Sequence, residues 1–462
     1  ASRLCYEVGK LMKTVFVVGA GPAGLFAAQK IAMSGHQVFL FNRDIKPGGL
    51  AEYGIYPLKD KMKFGLRKQF AKVLGLPNVH YFGHVTIGEQ GDLTLADLRA
   101  MKPAAMVFAC GAQGYNALGL PGEECSGVYS AKDFVYGYNQ LPPYATRDLS
   151  TGKRIAIIGM GNVAADIMRW LLRDSPDRQT EEVIVVARRG PYEAKFDKKE
   201  IEHVEEYISR EDFLRELDRI RKTCEACNQD LSLDKLGEST FPFLTKTFPP
   251  EDRPKLTFRF LSSPKEIIAG PDGRIEKLIV TENNLALRTD GSTQAKATDR
   301  TAALDVDTLI FAIGDKHDPS VGLPMGPDGY ATKPGPESLK EPAYEAWDPA
   351  VNELLHGIFV VGWARRASTG LVGIARHDGE EGAKKVLEYL QDKPDSGELS
   401  ADGLVTALQA KGATPVTKQD LEILGRVEEQ QAQQRNLTSF KYSDDDTMLQ
   451  AIQSERELLS VR

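Results

Sequence analysis

The chain has 462 residues, of which 42% are hydrophobic and 27% charged, and its formal net charge is −7. This composition is ordinary for a globular protein with two or three domains, and the acidic balance argues against nucleic acid or an anionic membrane surface as a partner. There is no apolar run near the ~20 residues that cross a bilayer, and residues 1–11 have no signal-peptide pattern, so we expect them to be an extension outside the fold. The five cysteines are too few and too scattered for a disulfide framework, so we expect a cytoplasmic protein.

The first predicted element is a strand at 14–18 that leads directly into a glycine turn. The turn reads Gly19-Ala20-Gly21-Pro22-Ala23-Gly24, and an apolar helix pattern follows it at once. In a G-x-G-x-x-G turn the glycines permit a tight bend and close approach of a pyrophosphate, and the helix N-terminus supplies free N–H groups. A second strand at 37–41 completes the unit. This context favours a dinucleotide site over a glycine turn without a ligand.

The stretch after the second strand is a glycine-rich loop at 47–63. Its small residues would let a flat ring system lie against the backbone. Residues 61–74 predict a basic amphipathic helix, and 104–109 predict a buried strand that ends at a ligand.

A second strand–glycine–helix unit begins near residue 153. Its turn reads Gly159-Met160-Gly161-Asn162-Val163-Ala164, where alanine in the third place still allows close packing. The following strand, predicted at 182–187, ends in Arg188 and Arg189. A free ribose 2′-hydroxyl is usually bound by an acid at this place, whereas arginine matches a 2′-phosphate. The pair therefore favours NADP(H) over NAD(H) and over a role as solvated surface arginines.

The last such stretch is an apolar strand pattern at 357–361 that ends in Gly362 and Trp363. A small-residue loop and then a helix follow, and the helix N-terminus would direct N–H groups at a ring carbonyl or an anion. From the residues alone, Trp363 fits a ring contact and a core position equally well.

Two other motifs lie outside these turns. Cys224-Glu225-Ala226-Cys227 has the spacing of a redox dithiol, but no second pair supplies the ligands of a zinc or cluster site. The basic residues between 210 and 222 alternate with Asp and Glu, which favours a solvated helix face over a docking surface. We expect neither motif to carry the chemistry.

In combination, these motifs resemble the adrenodoxin-reductase-like family of ferredoxin–NADP reductases. The similarity runs from residue 12 to the end and rests on blocks in the family's order: the G-x-G-P-A-G turn, Gly49-Leu50 with Tyr53-Gly54-Ile55, Gly161-Asn162-Val163-Ala164 with Asp166, Ala187-Arg188-Arg189-Gly190-Pro191, Gly362-Trp363 with Thr369-Gly370, and the tail segments 438–443 and 448–449. The Gly-Trp pair separates this family from thioredoxin-reductase-like and glutamate-synthase-like relatives, which have Gly-Asp there.

The resemblance implies an α/β fold with two Rossmann-like dinucleotide-binding domains, in which the NADP domain is inserted into the FAD domain. The expected FAD domain is 12–112 with 315–394, and the expected NADP domain is 113–314. Residues 395–462 would form an ancillary C-terminal helical tail.

The resemblance also implies a set of cofactor-binding residues, without a catalytic base or a metal site. FAD would be bound by Gly19, Gly21, Pro22, Ala23, Asn42, Leu50, Val85, Trp363, Gly370, Leu371 and Val372. NADP would be bound by Gly161, Asn162, Val163, Arg188, Arg189 and Glu200, and Gly370 would also touch it.

Two residues depart from the family's pattern. Asn42 stands where the family usually has an acid for the FAD ribose, although an amide can still hydrogen-bond a hydroxyl. Lys59 stands where many members have a histidine that handles protons. A lysine with an ordinary pKa cannot shuttle protons near neutral pH, so we assign no base.

The implied enzyme is a ferredoxin–NADP(+) reductase type oxidoreductase. It would pass electrons between NADP(H) and a ferredoxin-like one-electron carrier, a small iron–sulfur protein, through FAD. One alternative is a flavin subunit of a larger glutamate-synthase-like or electron-bifurcating complex, although such subunits usually bring a cysteine-rich cluster domain that this sequence lacks. Another is a degenerate relative that binds nucleotide to regulate a partner.

Overall fold

The computed structural model describes residues 12–176, 179–249, 253–333, 343–366, 372–394 and 399–460. Its strands are β1 (Thr14–Val18), β2 (Gln37–Phe41), β3 (Val79–Phe82), β4 (Ala105–Phe108), β5 (Gly114–Tyr115), β6 (Val128–Ser130), β7 (Arg154–Ile158), β8 (Glu182–Val186), β9 (Lys255–Arg259), β10 (Ser262–Ala269), β11 (Ile275–Leu287), β12 (Thr293–Asp305), β13 (Thr308–Phe311), β14 (Asp315–Lys316), β15 (Glu345–Asp348) and β16 (Glu353–Val360). Its helices are α1 (Pro22–Met33), α2 (Leu50–Tyr53), α3 (Asp60–Leu74), α4 (Leu95–Ala100), α5 (Ala131–Tyr138), α6 (Asn162–Arg169), α7 (Lys198–Ile201), α8 (Arg210–Glu225), α9 (Leu233–Ser239), α10 (Val372–Leu390), α11 (Ala401–Ala410), α12 (Lys418–Gln434) and α13 (Asp445–Ser460). None of these described helices combines the length and the apolar character needed to cross a bilayer.

The chain divides into two compact units. Unit 1 contains the residues up to Tyr115, then Tyr138–Thr146, and then the chain from Asp315 onward. Unit 2 contains Asn116–Gly137 and Arg147–Gly314. The expected domain at 113–314 includes the short segment 138–146, which in the structure belongs to unit 1.

The segment 138–146 joins unit 1 through specific contacts. The Asn139 amide donates to the Tyr53 carbonyl over 2.9 Å, and its carbonyl accepts from the Lys63 ammonium over 2.5 Å. The Tyr138 ring also packs edge-on against Tyr56, with 5.9 Å between the ring centroids. These contacts explain why the expected insertion is interrupted.

Unit 1 is built on a six-stranded sheet in the order β15-β16-β4-β1-β2-β3, parallel except for β15. Side chains alternate between the two faces of a strand. Val15 and Val17 of β1 therefore pack in the cluster that contains α1 and α10, whereas Phe16 and Val18 pack in the cluster on the other face. Because both faces are covered, the strand is apolar from Val15 to Val18. The carboxyl ends of β1, β2, β4 and β16 lie at one edge of the sheet, where ligands bind in open α/β sheets.

Unit 2 repeats this plan with a parallel sheet in the order β6-β13-β7-β8-β9. The carboxyl ends of β7 and β8 lead into the second glycine turn and into Arg188. A separate antiparallel sheet, β10-β11-β12, carries a long hairpin from β11 to β12.

The C-terminal helices pack on unit 1. Ile45, which lies in the loop after β2, shares a small apolar cluster with Val416, Leu424, Met448 and Ile452. A backbone bridge between Gly83 and Val416 fixes the start of this tail beside β3.

Candidate functional site

The first glycine turn lies at the carboxyl end of β1. Gly19 has a φ of +106°, and a Cβ there would lie 2.5 Å from the Ala109 carbonyl oxygen, so only glycine fits. Its N–H donates to the Phe41 carbonyl at the end of β2 over 2.8 Å. The turn thus joins the ends of three neighbouring strands.

Helix α1 begins directly after this turn with open N–H groups. Its N-cap is Gly21, which makes no side-chain cap, and Pro22 occupies the first turn, where it removes no hydrogen bond. A Cβ on Gly49 would lie 3.0 Å from the Gly21 Cα, so the glycine-rich loop closely approaches the turn. Free N–H groups and a positive dipole end suit a pyrophosphate. The predicted residues Gly19, Gly21, Pro22 and Ala23 therefore lie together in a shape that fits the FAD pyrophosphate.

Asn42 connects the glycine turn to the loop that follows β2. Its side-chain carbonyl oxygen accepts a hydrogen bond from the Ala20 N–H over 3.1 Å. Its amide nitrogen lies 2.8 Å from the Asp44 carbonyl, 3.0 Å from the Lys46 carbonyl and 3.1 Å from the Tyr81 hydroxyl. The side chain is buried and its polar groups are engaged within the protein.

The loop after β16 packs on the N-terminal end of α1. Gly362 has a φ of +65°, and a Cβ there would lie 2.6 Å from the Ala23 Cβ. Its N–H donates to the buried Asp378 carboxylate of α10 over 2.6 Å, and Arg365 and Arg366 pair with the same carboxylate. One acid in α10 thereby fixes this loop beside the first turn.

Trp363 follows in the same loop. Its carbonyl accepts from the His317 ring over 2.6 Å, but its buried indole N–H has no hydrogen-bond partner among the described residues. A buried N–H without a partner is costly, and FAD carries nitrogen and carbonyl acceptors that would satisfy it. Val372 starts α10 and packs against the neighbouring core, whereas Gly370 and Leu371 lie outside the described residues.

Two further predicted FAD residues have different surroundings. Leu50, the residue after Gly49, starts α2 and is half-buried. Val85 is fully buried in the apolar cluster on the other face of β1, and its N–H donates to the Asn42 carbonyl over 3.0 Å. Contact of either residue with FAD stays a prediction.

A charged network surrounds α2. Glu52 is buried and accepts two hydrogen bonds from Arg67, at 2.7 and 2.6 Å, and one from Lys441 of the tail. Burial alone would raise the pKa of Glu52, but the Arg67 hydrogen bonds and the Lys441 charge outweigh it and lower the pKa to about 2. Burial, followed by the Lys441 charge, lowers the pKa of nearby Lys63 to about 8. Glu52 is therefore ionised at neutral pH.

The second glycine turn, in unit 2, also opens into free space. The N-cap of α6 is Gly161, which makes no side-chain cap, and a Cβ there would meet nothing within 4 Å. Val163 is 47% exposed on the same rim. Asn162 instead makes reciprocal hydrogen bonds with Asp197, at 2.9 and 2.7 Å, which tie the turn to α7 and its half-buried Glu200. The open helix end fits a second pyrophosphate.

Arg188 and Arg189 lie at the end of β8. The Arg188 side chain is exposed and forms no hydrogen bond or ion pair within the described part of the chain. The Arg189 guanidinium donates to the Thr293 carbonyl over 3.3 Å. The exposed Arg188 guanidinium lies beside Arg189, whose side chain is hydrogen-bonded to the protein. The N–H donors of two adjacent arginines match the oxygens of a 2′-phosphate.

The Cys224 and Cys227 thiols are free, and both are buried. Burial, together with the Glu193 charge, raises the pKa of Cys224 to about 12, so the reactive thiolate is disfavoured. A Cβ on Gly190 would lie 3.3 Å from the Cys224 sulfur. These surroundings support a role for Cys224 in packing against the loop that carries Arg188 and Arg189, rather than dithiol chemistry.

Comparison with known proteins gives concordant matches. The pyridine nucleotide-disulphide oxidoreductase family matches residues 13–213. The NADPH-ferredoxin reductase FprA of Mycobacterium leprae is 30% identical in an alignment 421 residues long that covers 84% of this chain and 86% of that protein. The chain belongs to the NADPH-ferredoxin reductase family. The mitochondrial NADPH:adrenodoxin oxidoreductase of Arabidopsis thaliana is 26% identical, and the match covers 91% of this chain and 92% of that protein.

A solved structure of a reductase in this family has the same fold. Mycobacterium tuberculosis FprA in complex with NADPH matches 96% of this chain and 99% of its own at a TM-score of 0.77 and 25% identity. The resemblance and the α/β fold class predicted from the sequence are confirmed.

Sequence reasoning missed one residue of this reductase, Asp378. It is a buried acid on the same helical face as the buried residues Ala375, Gly379 and Gly382. An ionisable residue on an otherwise small and apolar face is a detectable signal, because a buried charge requires partners. Its partners, Gly362 and Arg365, could not be identified from that pattern.

Proposed function

We propose that this chain is an NADPH-dependent flavoprotein reductase that passes electrons between NADP(H) and a ferredoxin-like one-electron carrier through FAD. The observation that carries the proposal is the pair of open glycine turns, one after β1 in unit 1 and one after β7 in unit 2. Two successive arginines, Arg188 and Arg189, follow β8 in unit 2, whereas at the corresponding place after β2 in unit 1 Arg43 is followed by Asp44 and pairs with it. When bound, FAD accepts two electrons as a hydride and releases them one at a time.

The proposed FAD site uses residues of unit 1. The N–H groups at the start of α1 would hold the pyrophosphate, and the first turn would allow close approach because Gly19 and Gly21 lack side chains. The buried Trp363 indole N–H would donate to an acceptor of FAD, which is supported by its lack of a partner among the described residues. Leu50, Val85, Gly370, Leu371 and Val372 belong to the same proposal on the family resemblance alone.

The proposed NADP site uses residues of unit 2. The N-terminus of α6 would hold the pyrophosphate through Gly161 and Val163, while Asn162 supports the turn through Asp197. Arg188 and Arg189 would bind the 2′-phosphate and give the preference for NADP(H). Glu200 would lie near the ribose, as the family resemblance implies.

The decisive experiment is an anaerobic titration of the purified protein with NADPH and with NADH, followed by its visible spectrum. We expect one flavin per chain that is reduced by NADPH and poorly by NADH. In the double variant Arg188→Gln/Arg189→Gln we expect the KM for NADPH to rise about 100-fold, because two charge-assisted contacts are lost. The KM for NADH should stay unchanged.

Arg221→Gln is the matched control, because Arg221 is half-exposed in unit 2 and, among the residues that the structure describes, forms ion pairs only with acids on its own helix. Equal reduction by both nucleotides would overturn the 2′-phosphate assignment and leave the reductase standing. Protein that purifies without flavin and cannot be reconstituted with FAD would overturn the proposed function.

The free cysteines also bear on location. Four cysteines form no disulfide bond: Cys110, Cys125, Cys224 and Cys227. Free thiols support a reducing compartment such as the cytoplasm.

A further inference from the structure

The arginine loop, defined as residues 188–190, is held by elements outside the nucleotide-binding turn. The Leu261 N–H donates to the Arg189 carbonyl over 3.2 Å, and the Ser262 N–H donates to the Ala187 carbonyl over 2.9 Å. Leu261 lies between β9 and β10, and Ser262 is the first residue of β10. The loop is thus fixed from the side of the antiparallel sheet, which the dinucleotide motif does not include.

Asn283 of β11 makes the most specific of these contacts. Its side-chain amide donates to the Arg188 carbonyl over 2.9 Å and to the Ser263 hydroxyl over 2.8 Å. Its own N–H donates to the Leu261 carbonyl over 2.7 Å. Asn283 is only 4% exposed, so water cannot easily replace a lost bond.

The pairing of β11 with β12 is irregular opposite Asn283. Thr281 pairs with Thr301 and Asn283 with Ala297, so β12 carries the extra residues of a β-bulge there. Bulges bend a strand and occur often beside functional sites. On β11, Glu282 pairs with Arg259 at 2.8 Å and with Arg300 of the bulge at 3.2 Å, so ion pairs anchor the bulge beside Asn283.

The other strand of the hairpin contacts the second arginine. The Thr293 carbonyl, at the start of β12, accepts from the Arg189 guanidinium over 3.3 Å. The Thr293 hydroxyl donates to Glu193, which also accepts from Gln229 over 2.6 Å. The hairpin therefore holds the backbone of Arg188 and the side chain of Arg189 together.

We propose that Asn283 is a positioning residue for nucleotide specificity: through the Arg188 carbonyl it holds the arginine loop in the conformation that binds a 2′-phosphate. Asn283 acts through the loop. A loop ordered before binding does not have to be ordered by the ligand, and this preorganisation raises affinity. The proposal rests on the proposed function, in which Arg188 and Arg189 bind the 2′-phosphate of NADP(H).

The test compares Asn283→Ala with wild type in the full chain. Binding of adenosine 2′,5′-bisphosphate is measured by calorimetry, and KM and kcat are measured for NADPH and NADH. We expect the dissociation constant and the KM for NADPH to rise about tenfold, which corresponds to loss of one buried hydrogen bond. We expect kcat and the KM for NADH to stay unchanged, because neither depends on the 2′-phosphate.

Ser263→Ala is the matched control, because it removes the other acceptor of the Asn283 amide and leaves the Arg188 carbonyl bonded. Asn283→Ser, whose shorter side chain cannot reach the carbonyl, replaces the alanine variant if that variant does not fold. Folded Asn283 variants that bind the bisphosphate like wild type, or that weaken NADH and NADPH equally, would overturn the proposal. If wild type itself does not bind the bisphosphate, the assignment of Arg188 and Arg189 to the 2′-phosphate fails first, so that failure and the failure of the Asn283 proposal are distinguishable.

Discussion

Asn42 behaves as a structural residue although it occupies the place of a ribose-binding acid. Its amide nitrogen faces two backbone carbonyls, those of Asp44 and Lys46, at 2.8 and 3.0 Å. A carboxylate in this position would place an oxygen acceptor against these two carbonyl oxygens, with no donor between them. The amide is therefore suited to this loop in a way that the family's usual acid is not.

We predict that Asn42→Asp, which restores the family's usual acid, destabilises the protein by about 1–3 kcal/mol, because buried carbonyls lose their donor. Urea unfolding at neutral pH measures the difference. Gln90→Glu is the control, since it makes the same amide-to-acid change at an exposed residue of the same unit and should change stability by less than ~0.5 kcal/mol. A stable Asn42→Asp protein that binds FAD more tightly would contradict this account of the amide.

At the scale of elements, the C-terminal tail is joined to the loop around α2 by partly buried ion pairs. Lys441 pairs with Glu52, and Lys46 pairs with Glu428 at 2.5 Å. Glu52 has a folded-state pKa of about 2 against an ordinary value of 4.5. A lowered carboxyl pKa stabilises the fold fully above its unfolded-state value, and this stabilisation is lost as the pH falls through the folded-state value.

We predict that Lys441→Met lowers the free energy of unfolding at pH 7 by on the order of 1–3 kcal/mol, since it leaves a buried carboxylate with one partner fewer. The difference from wild type should shrink as the pH falls from about 4.5 toward 2, because Glu52 becomes protonated in both proteins. Urea unfolding at pH 7, 5 and 3.5 measures it. Lys385→Met removes an exposed pair with Glu388 and is the control. A difference that does not vary with pH would contradict the role of Glu52.

Elements of this protein differ in how far the sequence predicts them. The two glycine turns are visible because strand, turn and helix are adjacent in the chain, so local pattern and function coincide. The contact between Lys441 and Glu52 joins residues that are 389 positions apart in the sequence. The pattern of either segment alone does not predict its partner. Asn283 is equally hidden, because its importance arises from a bulge and from the packing of a hairpin on a distant loop. Local chemistry was predictable, whereas its support by remote elements was not.

At the scale of the whole molecule, unit 2 has its own parallel sheet and its own core. The sheet β6-β13-β7-β8-β9 lies entirely within residues 116–314, as does its apolar cluster. Unit 1 differs, because its sheet and core combine segments that lie before and after unit 2 in the sequence. β4 pairs with β16, and α1 packs with α10.

We predict that a fragment of residues 116–314 unfolds cooperatively and binds adenosine 2′,5′-bisphosphate within about threefold of the full chain, a difference of under 1 kcal/mol. A fragment that ends at Tyr115 should stay unfolded, because it lacks β16 and α10. Circular dichroism melts and calorimetry measure both. A folded N-terminal fragment, or a 116–314 fragment without a cooperative transition, would contradict this division.

The same routing of the chain orders events during synthesis on the ribosome. The N-terminal strands emerge first, yet their sheet must wait for β16 and its core for α10, which follow only after the roughly 200 residues of the inserted segment. At about 5–20 residues per second that delay is on the order of 10–40 seconds. During this interval β4 has an exposed edge on the nascent chain, and such edges invite pairing with other chains. The unit that starts first is thus completed last, and the nascent N-terminal quarter of the chain is the part that most needs shielding by a chaperone.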